Sequence, residues 1–172
     1  MEVRFSRLHN ASMAAVAAGM VVVGIGHFLA KPDTAPSLSL NDTRFVVFLV
    51  LGVAMAFYVW MGITRWLDRM PQIVIDGDGI ALGFGRNRRV AWQDIEWARL
   101  RRMGFRPQLQ LGIAPAAFAA ADLRLSMLNL DDALRPIRGT PSAVMVRDNG
   151  LDTTAAAMLD AIKSFRPNLV RS

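Results

Sequence analysis

Seven arginines, Arg86, Arg88, Arg89, Arg99, Arg101, Arg102 and Arg106, stand within 21 residues of one another, offset only by Asp94 and Glu96. A guanidinium is a planar fork of donors that matches a phosphate or carboxylate, so the chemistry open to this pattern is recognition of an anion. Arg86, Arg88, Arg89, Arg99, Arg101 and Arg102 are therefore the candidate contacts for an anionic lipid headgroup or a protein partner. Near an anionic bilayer each would contribute about 1 kcal/mol. A solvated face that keeps a domain soluble needs the same residue types, and at this level the two roles stand side by side.

Other constellations fall short of their chemistry. Asp76-Gly77-Asp78-Gly79 starts as a calcium loop does, but the next ligand position is Ile80 and the twelfth is Asn87, where a bidentate Glu belongs. A tight turn accounts for it. Gly83-Phe84-Gly85-Arg86-Asn87-Arg88 lacks the last glycine of a dinucleotide fingerprint and opens no helix. The two histidines, His9 and His27, both lie in the first 30 residues, and there is no cysteine. Disulfides, thiolate metal sites and a cysteine nucleophile are thereby excluded, and no His–carboxylate set can form in the distal chain. The expectation is a protein that is not an enzyme and holds no metal or cofactor. Trp92 follows an aliphatic-x-Trp pattern and is expected in a core, its ring N–H seeking a partner. No nucleic acid is expected, since neither a groove-reading helix nor a stacking platform is evident.

The elements that must position these residues begin with two uncharged runs. Of 172 residues, 53% are hydrophobic, and they concentrate in Ser12 to Ala30 and Phe45 to Thr64, runs of 19 and 20 residues. At about 1.5 Å per helical residue, either one spans a hydrocarbon core roughly 30 Å thick. A cleavable signal peptide competes for the first run, but 19 residues exceed the usual apolar core of about 7–15. Arg4, Arg7, Arg65 and Arg69 flank the runs on one side, against Lys31 and Arg44 in the connection. That bias puts both termini in the cytoplasm, and Trp60 and Trp66 suit a headgroup interface. Small residues recur four apart, Ala14 with Ala18, Ala15 with Gly19 and Gly52 with Ala56. Such spacing suits close helix packing, against the other helix or a second copy, and is also common in any apolar segment.

Beyond the second run lie sixteen of the twenty cations and eleven of the fourteen acids, so the distal portion is itself basic. Its pattern has period two. Ile73 and Ile75, then Ile80, Leu82 and Phe84, flank the Asp-Gly turn as a hairpin. A second turn falls at Gly85 to Asn87. Further short strands are expected at Arg88 to Trp92, Glu96 to Arg102, Gln108 to Ile113, Leu123 to Leu128 and Ala143 to Arg147, enough for a small barrel or sandwich. Between the last two, DDALRPIRG is expected to add a short helical turn, and the alanines of APAAFAAAD suit a loop or a helix. From 153 to 165 Ala155, Met158, Leu159, Ile162 and Phe165 recur at helical spacing, and Pro167 ends the helix.

The layout of two apolar helices, then Pro71-x-Ile73-Val74-Ile75-Asp76-x-x-Gly79-Ile80, then Val90-x-Trp92-x-Asp94-Ile95 and a terminal helix, resembles the bacterial membrane proteins that carry a PH-like domain behind a two-helix anchor. The resemblance implies an α+β membrane protein. A transmembrane hairpin over 1–70, with helices at 12–30 and 45–64, would precede a small antiparallel PH-like β-barrel over 71–172, capped by the C-terminal helix. It further implies a multi-pass protein of the bacterial inner membrane that acts as a binding or scaffolding module, in a family with no assigned activity. The expected partners are the bilayer, anionic lipids or a protein of unknown identity, with homo-oligomerisation open.

Overall fold

The computed structural model describes residues 1–82, 89–103, 106–121, 134–137, 139–140 and 142–171, without the side chains of Met103, Arg106 and 134–136. The turn at Gly85 to Asn87, Phe84, the strand expected over Leu123 to Leu128, and Arg86 and Arg88 lie outside the described residues. In chain order the elements are β1 (Glu2–Val3), α1 (Arg7–Ala30), α2 (Thr43–Leu67), β2 (Ile73–Ile75), β3 (Gly79–Leu82), β4 (Arg89–Ala91), β5 (Ile95–Met103), β6 (Arg106–Ile113), α3 (Pro115–Ala120), β7 (Leu134–Pro136), β8 (Ala143–Val146) and α4 (Ala155–Phe165). The chain is α+β and divides into two compact units, Ser6–Asp68 and Met1–Phe5 with Arg69–Ser172.

The helical unit consists of α1 and α2, of 24 and 25 residues, both long and apolar enough to cross a membrane. They start earlier than the uncharged runs because caps precede them. Ser6 Oγ accepts from the His9 N–H at 3.3 Å, and Asp42 Oδ1 from the Arg44 N–H at 2.9 Å, satisfying donors the first turn leaves open. Val22, Val23, Leu29, Val50, Val53 and Trp60 are all exposed. A helix of a soluble bundle would confine such residues to one buried stripe. The two helices meet at small side chains, where Ala14, Ala17, Met61 and Gly62 are buried. A Cβ on Gly62 would lie 2.7 Å from the Asn10 carbonyl oxygen and 2.8 Å from Ala14 Cβ. The contact requires glycine.

The second unit holds two four-stranded antiparallel sheets, in the orders β1-β2-β3-β4 and β5-β6-β8-β7. Period two explains their shared core. Val3, Ile73 and Leu82 form one cross-strand row and Ile75, Ile80 and Val90 another. In the second sheet Ala98, Leu111 and Val144 line up, beside Leu109 and Val146. All are buried, and α4 adds Ala155, Met158 and Ile162 at helical spacing. Full burial of an Ile or Leu contributes about 1.5–3 kcal/mol. Gly79 closes the first turn at φ +150, where any Cβ would stand 2.1 Å from the Val90 carbonyl oxygen. Trp92 is core, as its pattern indicates: it is 6% exposed, its Nε1 donates to the Asp76 carbonyl at 2.9 Å, and its ring stacks on Phe165.

Several expectations change. The described strands form no closed barrel. The chain leaves β4 through a 3-10 turn, Trp92–Asp94, and a bulge between Ile95 and Trp97 starts β5, so the ladder is not carried from one sheet to the other. Within DDALRPIRG, Leu134–Pro136 is a strand paired with β8 instead of a helical turn, because edge pairing overrides a weak local preference. The alanines of APAAFAAAD are helical in α3. Met1–Phe5, which the sequence groups with the anchor, instead completes the first sheet. Glu2 and Val3 pair with Val74 and Ile73, and Phe5 bridges Leu151.

Candidate functional site

The arginines are dealt out by strand register to different surfaces. Arg89 opens β4 directly across the β2–β3 turn from the acids of the Asp-Gly-Asp-Gly segment. Its guanidinium donates to Asp76 Oδ1 and lies 3.8 Å from Asp78 Oδ2. The turn is shaped by the Asp78 N–H donating to Asp76 Oδ1 at 3.0 Å and by the Asp76 N–H donating to the Gly79 carbonyl at 3.1 Å. The Arg89 hydrogen bond, aided by the Asp78 N–H, holds the Asp76 carboxyl below the usual carboxylate range. Asp76 in turn raises Arg89 above the ordinary arginine value. Arg89 is thus spent on the turn and is not a free anion contact.

Because its folded-state pKa is depressed, Asp76 contributes stability that is present above the unfolded carboxylate pKa and lost as pH falls through the folded value. In thermal unfolding of the detergent-solubilised chain, Asp76→Asn is expected to be less stable than the parent at neutral pH. The gap should begin to close as the pH drops below about 4, the ordinary aspartate range, and vanish below the lowered folded value. An unchanging gap from pH 7 to pH 3 would show that the pair does not titrate with folding.

In β5 the two-residue period separates the remaining arginines. Arg99 and Arg101 rise from the face opposite the core, while Ala98, Leu100 and Arg102 point the other way. On the Arg99 face the cross-strand neighbours are Gln110 opposite Arg99, Gln108 opposite Arg101, and Gly112 opposite Trp97. Arg99 Nε donates to Gln110 Oε1 at 3.0 Å, and its guanidinium sits 4.7 Å over the Trp97 ring, a cation–π arrangement. Gly112 makes room for that indole, since a Cβ there would meet Trp97 Nε1 at 2.2 Å. Gln110 is fully buried, and its Nε2 has no hydrogen-bond partner among the described residues.

Geometry therefore assembles Arg99 and Arg101 with Trp97, Gln108 and Gln110. It places Arg89 on the other sheet and Arg102 on the opposite face. Among the described residues neither Arg99 nor Arg101 forms an ion pair with an acid. Trp97 and Gln110 went unassigned in the sequence, although Gln108 and Gln110 alternate with Leu109 and Leu111 and so mark a polar face. No group of three or more His, Asp or Glu residues comes together among the described residues. Comparison with family models, curated proteins and solved structures finds no match for this chain.

Proposed function

We propose that the protein is a membrane-anchored, non-enzymatic binding module that presents the Arg99–Arg101 face to an anionic partner. The observation that carries it is the Arg99 guanidinium, held on one face by Trp97 and Gln110 beside the exposed Arg101, with no acid paired to either among the described residues. On this proposal α1 and α2 span the bacterial inner membrane, in keeping with their length and their exposed apolar surface on many sides. The β1–β2 pairing supports one compartment for residues 1–5 and 69–172, and the excess of arginine beside the helix ends favours the cytoplasm for it. A PH-like domain, two antiparallel sheets with a C-terminal helix over their shared core, is the fold that suits this unit.

Two kinds of anion fit the face, an acidic protein surface and the headgroups of anionic lipid, and the exposed Arg101 keeps the second in play. Photocrosslinking in cells from a benzoyl-phenylalanine at Gln108 separates them. A discrete protein adduct is expected. It should weaken roughly tenfold on Arg99→Ala with Arg101→Ala, since a hydrogen bond to a charged group contributes about 1.5–3 kcal/mol. Adducts to lipid alone would select the headgroup sensor, and adducts unaffected by the arginine changes would sink both.

A further inference from the structure

β5 is an edge strand of its sheet, and following its backbone groups shows, among the described residues, a stretch beyond Ala98 with no strand beside it. In an antiparallel pair, successive residues direct their N–H and C=O alternately toward the neighbour and away from it. Ala98 is an outward residue, because its carbonyl accepts from the Arg171 N–H at 2.8 Å and it bridges Val170 in parallel. Register then runs without interruption from Trp97 to Met103. Leu100 and Arg102, two and four residues beyond Ala98, must therefore point their N–H and C=O outward as well. No hydrogen bond to those groups occurs among the described residues.

Edges are usually blunted by proline, by a bulge, by brevity or by charged side chains, and the charges of Arg99, Arg101 and Arg102 oppose a basic strand while leaving an acidic one able to add. Here the bulge lies at the other end, between Ile95 and Trp97, and no proline occurs from Trp97 to Met103. An incoming strand would lie about 5 Å from β5 with its side chains beside those of β5 on both faces. On one face it would meet Arg99 and Arg101, and on the other Leu100, which is 36% exposed, with Arg102 at the end. We infer that the outward edge at Leu100 and Arg102 captures an extended peptide that alternates acidic with apolar residues, adding it to the sheet as a strand. Main-chain bonds supply the affinity and the alternate side chains the selectivity. The proposal rests on the basic face described above and assigns its partner.

The test uses the full chain in nanodiscs of neutral lipid and a fluorescein-labelled probe peptide, Glu-Val-Glu-Thr-Glu-Val, read by anisotropy. Saturable binding is expected, at least tenfold weaker for the same peptide N-methylated at alternate residues, which keeps the charges and removes the donors. Leu100→Pro should weaken it by a similar factor. Its N–H points away from β6, so a proline there spares the ladder, as it does on other edges. Should that variant lose its fold by circular dichroism, the methylated peptide carries the test. Equal binding of methylated and parent peptides would overturn strand addition while leaving the basic face as a charge-reading surface. Absence of binding by the parent peptide would also overturn it, with the Gln108 crosslink deciding separately on the face itself.

Discussion

Val3→Asp is expected to unfold the sheet unit. Val3 is fully buried, paired opposite Ile73 in the row that continues to Leu82. An aspartate there would leave its carboxylate in the core without a partner, at a cost of about 3–5 kcal/mol. A domain's whole stability is about 5–15 kcal/mol, so the native population would fall sharply. Val3→Ala removes two methyl groups and should cost only about 2 kcal/mol. Tryptophan fluorescence during thermal unfolding of the detergent-solubilised chain follows the effect, since Trp92 and Trp97 report on this unit. Wild-type melting by Val3→Asp would mean that the first residues are not part of the sheet. By the same reasoning, a fragment starting at Pro71 lacks an edge strand and exposes Ile73 and Ile75, so studies of the basic face call for the whole chain.

The second large effect is expected at Gly62. A leucine there would drive its Cβ toward the Asn10 carbonyl oxygen and Ala14 Cβ, both inside 3 Å. Backbone on one side and a short methyl on the other have no way to yield, so the helices must separate. Overpacking of this kind costs about 1–3 kcal/mol, to which the lost helix contact adds. In a titration with SDS from a mild detergent, Gly62→Leu should come apart at a clearly lower SDS fraction than the parent, and Gly62→Ala at an intermediate one. Gly52→Leu is the control, because a Cβ at Gly52 meets nothing within 4 Å. If Gly52→Leu and Gly62→Leu behave alike, the close approach is not what holds the pair.

These two sites also show where sequence reasoning reaches and where it stops. The apolar runs, the Ile73–Ile75 hairpin and α4 are legible because each carries its own period over many residues or has a turn beside it. β1 has two residues and its partner lies some seventy positions away, so no local pattern can announce it. The four-residue spacings point at Ala14, which is buried against Gly62, but equally at Gly19 and Gly52, where an added Cβ would meet nothing within 4 Å. Spacing marks which residues are small but not which face of a helix meets its neighbour. The arginine cluster was half readable. Period two alone separates Arg99 and Arg101 from Arg102, but the pairing of Arg89 with Asp76 and Asp78 depends on how β2, β3 and β4 align.

The threading of Met1–Phe5 into the sheet bears on how the chain is made. β1 leaves the ribosome before both long helices and its partner β2 after them, so the first sheet cannot be completed until the chain has doubled back. Closing a loop that long carries an entropic cost that a formed helical hairpin reduces, since it brings the two ends together. With α1 and α2 as spans, a chain that inserts only one of them strands β1 on the far side of the membrane. On the proposed topology the Ile73 row would then stay unpaired and open to proteases, so that the fold itself would mark a faulty insertion.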